Sequence, residues 1–391
     1  MGIYSEYLDT LHDFPSIVAE RKKQLSRIAQ IRGRAVLTIA SDLGMSPQKA
    51  MAPVGIDYTD LLPVADQLDN VSGAGIDVII ETPGGFAERA EDIVKMIRNK
   101  FDDVAFIVPG AAMSAGTIMV MSGNEILLDP NSSLGPIDAQ VSDGAKRFSA
   151  DAFLKGLEKI KEEVDSTGNL NKAYIPILAG ISLGQIQAYQ NAQEFSQRLV
   201  SEWLAKWKFQ KWTNHATTGA PVTEVEKRER AGQVAAELCD HSRWLTHNGS
   251  IKLPDLLGIG LKVTDYSGDT KLHDAIRRYH ALLRMGFEST SIYKLFETPT
   301  SQVHRFLVIP GAVPPPAPAG APDMAQVEVK CPKCQHGTRL QANLGKKQPL
   351  QQGSAPFPAD NKLRCPNCNL EIDVSNIRKQ LEAQSKKPIV S

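Results

Sequence analysis

Acyl transfer needs a nucleophile held at a tight turn, with backbone N–H groups aimed at the oxygen that becomes negative. The stretch PGAAMSAGT, residues 109–117, offers both. An apolar run from Val104 to Val108 reads as a strand, small residues follow as a turn, and Ser114 opens an apolar helix. The amides of Ser114 and Ala115 then sit at a helix start, where anions are favoured, and Gly116 lets backbone approach closely. A second glycine turn, Thr82 to Gly85 (TPGG), ends the preceding strand, and neighbouring strand ends in a parallel sheet lie side by side. Amides of Gly85 and Ala115 could therefore face one oxyanion. Taken alone, a serine before Ala-Gly reads more readily as a buried helix cap.

A different chemistry is encoded at the other end. Cys331 and Cys334 (CPKC) and Cys365 and Cys368 (CPNC) form two CPxC pairs, a metal spacing that supplies four thiolates for tetrahedral zinc. Four sulfur ligands leave no open position, so the expected zinc is structural and helps a small module fold; redox CxxC chemistry is the alternative. His336 adjoins the first pair and is not needed as a ligand. Residues 324–391 carry eleven Lys or Arg against five Asp or Glu, a net of +6. That charge is compatible with nucleic acid, but ribbons also bind proteins, and recruitment of a protein substrate or partner is the favoured reading. The fifth cysteine, Cys239, ends an apolar helical stretch and reads as a core residue without a role.

The elements that must position these groups follow from periodicity. With 391 residues, 23% charged, 42% apolar and a formal net charge of zero, the chain has room for a large unit and an appendage and calls for no nucleic-acid or membrane partner. No N-terminal stretch has the pattern of a signal peptide, so a cytoplasmic location is expected. The uncharged run Val104 to Asn124 is broken by Pro109, Gly110 and Gly116, which favours strand, turn and helix over a membrane span. Residues 5–31 read as a helix with Arg21, Lys22, Lys23 and Arg27 on its exposed part, and 34–40 as a strand. From 76 to 129 strands and helices alternate, with Ala90, Ile93, Val94 and Ile97 on one buried helix face; this implies an α/β fold with a largely parallel sheet. Beyond Gly135 helices dominate. Phe195, Leu199, Trp203 and Trp207 recur every four residues, as core or subunit contact rather than a ligand-stacking surface. Thr223 and Glu226 make a capping box for a helix running to about Cys239, and LGIGLKV, residues 257–263, returns to a strand. Six prolines within 309–322 mark a linker.

In this order and spacing, TPGG, a helix, a strand, GAAMSAGT and DPNSSLGPIDAQ resemble the Clp peptidase and signal-peptide-peptidase superfamily, most closely the SDH-type Clp-fold serine proteinases (the serine dehydrogenase proteinase family). The resemblance runs over roughly 34–265 and is strongest at 76–140. It implies a ClpP/crotonase-like spiral of ββα units with an added helical region, Ser114 as nucleophile, Gly85 and Ala115 as oxyanion donors, and a ring-like homo-oligomer. The expected domains are an N-terminal helix (1–31), a catalytic domain (32–306), a Pro-rich linker (307–324) and a zinc ribbon (325–391).

The resemblance does not supply the base. Clp peptidases place a histidine in the segment that resembles PNSSLGPID, but the matching position here falls near Ile137, beside Asp138. Signal-peptide-peptidase relatives use a lysine forty to fifty residues beyond the serine, where Lys155, Lys159 and Lys161 lie. Lys155 is preferred, because Phe153, Leu154 and Leu157 could lower its pKa. His247, in a segment resembling the one that supplies the acidic triad member, competes and needs no large shift. Asp138 is expected to orient or bind rather than attack. The function expected is an ATP-independent serine peptidase acting on proteins or peptides, with no Walker-type loop of its own. A catalytically weak scaffold working through its ribbon and a crotonase-type acyl-CoA enzyme are the alternatives.

Overall fold

Aliphatic runs at 35–41, 75–81 and 103–107 are too short for buried helices and too continuous for a sheet wetted on one face. They form the centre of a seven-stranded sheet in the spatial order Gln302–Phe306, Ile292–Glu297, Ala35–Ser41, Gly75–Glu81, Asp103–Ile107, Glu125–Leu128, Thr264–Asp265. From Ala35–Ser41 onward the pairings are parallel, with Val78 opposite both Leu37 and Phe106. The two remaining strands join antiparallel. This computed structural model describes residues 2–44, 46, 49–143, 146–307, 323–385 and 387–390. The chain divides into two compact units, Met1–Leu307 and Val308–Ser391.

Strand side chains alternate between two cores. Leu37, Ile39, Val78, Ile80 and Phe106 face one shared with helices Leu61–Asp69, Ala87–Lys100 and Glu224–Cys239; Val36, Ile79, Ala105 and Ile107 pack against Phe14–Arg32 and Thr270–Glu288. A second, narrow layer is added at the strand ends. Thr82 bridges Ala112, Ala111–Ala112 pairs in parallel with Ser133–Leu134, and Leu134 bridges Ile251. Strand, short strand and helix thus repeat, which is the ββα spiral that the resemblance implied. The added helical region comprises Ala150–Thr167, Leu183–Trp203 and Glu224–Cys239, the last opened by the Thr223–Glu226 capping box. Leu199 and Trp203 are core residues, and Trp207 holds the Arg98 guanidinium 4.2 Å from its ring centre.

Two expectations are corrected. Residues 5–31 form two helices, Ile3–Thr10 and Phe14–Arg32, because Asp13 caps the second by accepting the Ser16 N–H at 2.8 Å and Pro15 occupies its first turn. Arg21 is buried rather than exposed, since its Nε donates to the buried carboxylate of Glu297 at 2.6 Å. Among the described residues no helix is long and apolar enough to cross a membrane.

In the second unit, Met324–Lys330 pairs antiparallel with Gly337–Leu344, and Lys362–Arg364 with Glu371–Asp373. Leu340, Ala342, Leu344, Phe357 and Val374 centre a small core. Residues 308–322 of the expected Pro-rich linker lie outside the described residues.

Candidate active site

The two glycine turns cross at close range, and their residue types follow from that crossing. A Cβ on Gly84, whose φ is +100°, would lie 2.7 Å from Ser114 Cβ and 2.8 Å from the Met113 carbonyl oxygen. On Gly85, with φ +148°, it would lie 2.3 Å from both the amide nitrogen and the carbonyl oxygen of Ile56. Only glycine fits either position. Ser114 adopts φ 50° and ψ −116°, a strained conformation for a residue with a side chain, which lifts its Oγ out of the turn before helix Ala115–Val120. Among the described residues Ser114 Oγ has no hydrogen-bond partner, and the N–H groups of Gly85 and Ala115 donate to none. All three residues line a cavity of about 1080 Å³, together with Ile118, Ile137, Asp138, Phe195 and His247.

Asp138 is fixed from the backbone outward: the preceding residue, Ile137, donates its N–H to the Leu238 carbonyl at 3.0 Å. Its buried carboxylate meets His247 Nδ1 at 2.8 Å through Oδ1, and His241 Nδ1 at 3.1 Å and Gln140 Nε2 at 3.2 Å through Oδ2. Burial pushes the Asp138 carboxyl up, but hydrogen bonds from His247 and Ser149, the His247 charge and the His241 hydrogen bond outweigh it and hold the pKa below the ordinary value. The His247 segment is tied to the narrow layer by the reciprocal bonds of Leu134 and Ile251, at 3.0 and 2.8 Å. His247 lines the cavity wall, and in a neutral ring whose Nδ1–H donates to Asp138 the other nitrogen is an acceptor.

The structure therefore brings Ser114, Gly85, Ala115, Asp138 and His247 to one cavity. It does not bring Lys155 there. The Lys155 ammonium pairs with Asp240 at 2.6 Å and Asp151 at 2.9 Å, and its side chain is 43% exposed. The expected depression of its pKa is reversed: burial lowers it, but the hydrogen bonds to Asp240 and Asp151 outweigh burial and raise it. Phe153 packs instead with Phe148 and Tyr189, at ring distances of 5.7 and 5.0 Å. Lys159 is exposed, and Lys161 pairs with Glu158 at 2.9 Å. Sequence reasoning missed His241, and the only available signal was its place in the same loop region as His247. It also missed that Phe195, at the head of the aromatic stripe, lines the cavity.

The four C-terminal cysteines also converge. Their sulfurs all lie within 4.8 Å of one another, with Cys331 to Cys368 at 3.5 Å and Cys334 to Cys365 at 3.6 Å. A tetrahedral metal with bonds of about 2.3 Å has sulfur–sulfur edges of about 3.8 Å, so this cluster could hold a metal ion. The knuckles are built alike. Cys331 donates its N–H to the His336 carbonyl and Cys365 to that of Leu370, both at 2.9 Å, with Gln335 and Asn369 at φ 59° and 55°. Cys239 is buried far along the sequence in the first unit, where burial pushes its thiol pKa up.

Residues 14–221 match the ClpP-like SDH-type serine proteinases. That span holds Gly85, Ser114 and Asp138 and stops short of His247. Two uncharacterized proteins of Methanocaldococcus jannaschii are similar over 153 and 159 residues, at 26% and 30% identity. These similarities cover 37% and 39% of this chain and 51% of each relative, so the chain spans about half the length of the curated relatives it matches. Among solved structures, ClpP1 from Listeria monocytogenes and a point mutant of it are similar at a TM-score of 0.32, with 13% and 14% identity. They cover 63% and 62% of this chain and 96% and 97% of their own. With more than half of its residues matched, both glycine turns included, the chain belongs to the ClpP-like SDH-type serine proteinase family.

Proposed function

We propose that the protein is a peptidase in which Ser114 is the nucleophile, His247 the general base and Asp138 the group that orients His247. One observation carries this reading. Ser114 and His247 line the same cavity, and the Nδ1 side of His247 faces a buried carboxylate at 2.8 Å. With that tautomer held, His247 Nε2 takes the Ser114 proton as Oγ attacks a peptide carbonyl. The oxyanion then accepts hydrogen bonds from Gly85 and Ala115, His247 returns its proton to the leaving amine, and water resolves the acyl-enzyme by the same base. Relative to the Clp arrangement, acid and base exchange places: the carboxylate stands near the histidine position and the histidine on the segment that would supply the acid.

The substrates in this reading are proteins or peptides, cleaved without ATP. Zinc fills the four-cysteine site as a structural ion, and the catalytic unit assembles with copies of itself in a ring. The cytoplasm is the proposed location. A fluorophosphonate probe tests the core of the reading. Wild type and Lys155→Ala become labelled, Ser114→Ala does not, and His247→Asn is slowed by about 10³-fold or more. Equal labelling of Ser114→Ala would sink the nucleophile assignment. A silent Lys155→Ala beside an active His247→Asn would return the base to lysine.

A further inference from the structure

The Asp138 carboxylate serves two imidazoles, and a Ser-His-acid site needs only one. His247 meets Oδ1 at 2.8 Å, whereas His241 meets Oδ2 at 3.1 Å and does not line the cavity. His241 is held firmly. Its backbone N–H donates to Asp151 Oδ2 at 3.0 Å, and buried Asp151 also accepts from Lys155 Nζ at 2.9 Å and Gln193 Nε2 at 2.9 Å. Lys155 in turn pairs with Asp240, the residue before His241. The ion-paired lysine therefore anchors the start of the short helix His241–Trp244 that carries the second histidine. Among the described residues the charged or titratable groups around the two rings are Asp138, Asp151, Asp240, Lys155, Cys239 and, on the cavity that His247 lines, Glu88, with Gln140 and Ser149 as neutral neighbours.

We propose that His241 is a positioning residue of this site: its Nδ1–H grips Asp138 Oδ2 and so fixes the carboxylate that orients His247. The inference rests on the Ser114–His247 reading above. Oδ2 takes its shorter contact from His241, at 3.1 Å against 3.2 Å from Gln140, and removing that donor loosens the carboxylate about its terminal torsion and with it the direction of the hydrogen bond to His247. A donor at Oδ2 also draws off part of the negative charge that would otherwise stabilise a protonated ring at Oδ1.

The test compares His241→Ala and His241→Asn with wild type in the full-length, metal-loaded protein, by pH profiles of peptide hydrolysis. Asparagine restores an N–H near the place of Nδ1, and alanine does not. For His241→Ala, kcat falls about tenfold, the size of one lost hydrogen bond to a charged group, with KM nearly unchanged. The acid limb of kcat/KM moves up by about half a pH unit, and His241→Asn recovers most of both effects. A His241→Ala profile that superimposes on wild type overturns the proposal, as does a loss that asparagine leaves unrepaired. If Ser114→Ala is labelled like wild type, the peptidase reading fails by itself. The carboxylate sharing is then read from the downfield Nδ1 proton resonance of His247 in the Ser114→Ala protein. It shifts in His241→Ala and returns in His241→Asn, whereas a resonance that ignores both changes removes the proposal independently.

Discussion

Asp138→Asn removes one negative charge at almost constant volume. The carboxylate faces His247 Nδ1 at 2.8 Å with its side chain wholly buried. When His247 takes the serine proton, the new imidazolium and the carboxylate have charge centres about 4 Å apart, which at an effective dielectric near 20 is about 4 kcal/mol of attraction. Losing it costs about 10³-fold in kcat. An asparagine that turned its NH2 toward His247 would also hold the wrong tautomer, bringing the loss to about 10⁴-fold. KM should stay near the wild-type value, because neither oxyanion donor nor cavity volume changes. Burst kinetics on a fluorogenic peptide ester, with the rate of fluorophosphonate labelling, separates the chemical step from binding. A loss below tenfold would refute the reasoning, since it would mean that the carboxylate neither orients His247 nor balances its charge.

Gly84→Ala forces a Cβ to within 2.7 Å of Ser114 Cβ at a φ that side chains avoid, so it should lower stability by about 2 kcal/mol and cut labelling by about 10²-fold. Thermal melts and labelling rates check both, and a variant as stable and active as wild type would contradict the close crossing. Asp138 has a native pKa below its ordinary value of 3.8, so the stability it contributes is complete above that pH and disappears as pH falls through the native value. The stability difference between wild type and Asp138→Asn in urea should therefore shrink toward zero on acidification from neutral pH, and a difference that grows would reverse the sign. Atomic absorption should find one zinc per chain, and Cys365→Ser or a strong chelator should lower the metal content and unfold the residue 323–390 region. A second unit that stays folded without metal would argue against a structural ion.

How far the sequence could be read depended on distance along the chain. Ser114, Gly85 and Ala115 were legible because turn chemistry is local: a Cβ has no room at Gly84 or Gly85, and apolar periodicity places the strands that end in those turns. The cysteine pairs were legible for the same reason. The link from Asp138 to His241 and His247 spans 103 and 109 residues and depends on how the helices between 150 and 239 fold back, which no local pattern encodes. Lys155 shows how neighbours in sequence mislead. Residues one or two apart on a helix point to different sides, so Phe153 and Leu154 do not surround its ammonium; Asp151, one turn earlier, and the distant Asp240 do. Arg21 repeats the lesson, because its partner Glu297 lies on a strand 276 residues away. The break between the first two helices, by contrast, was present in the sequence as an aspartate cap followed by Pro15.

Burial explains why acid and base can stand in exchanged positions without altering the chemistry proposed for them. The acid of such a site must remain ionised while shielded from water, which requires donors at both oxygens; the base must present a nitrogen to the substrate. At position 138 the side chain is wholly buried and meets donors from His247, His241 and Gln140, an environment that suits a carboxylate. At position 247 the side chain is 19% exposed and borders the cavity that Ser114 also lines, while its Nδ1 meets Asp138 on the buried side. Chain order places no demand on either group. A comparison position by position with the Clp arrangement finds a missing histidine, whereas a comparison by burial and hydrogen-bond direction finds a histidine and a buried carboxylate paired on the wall of the cavity that Ser114 lines.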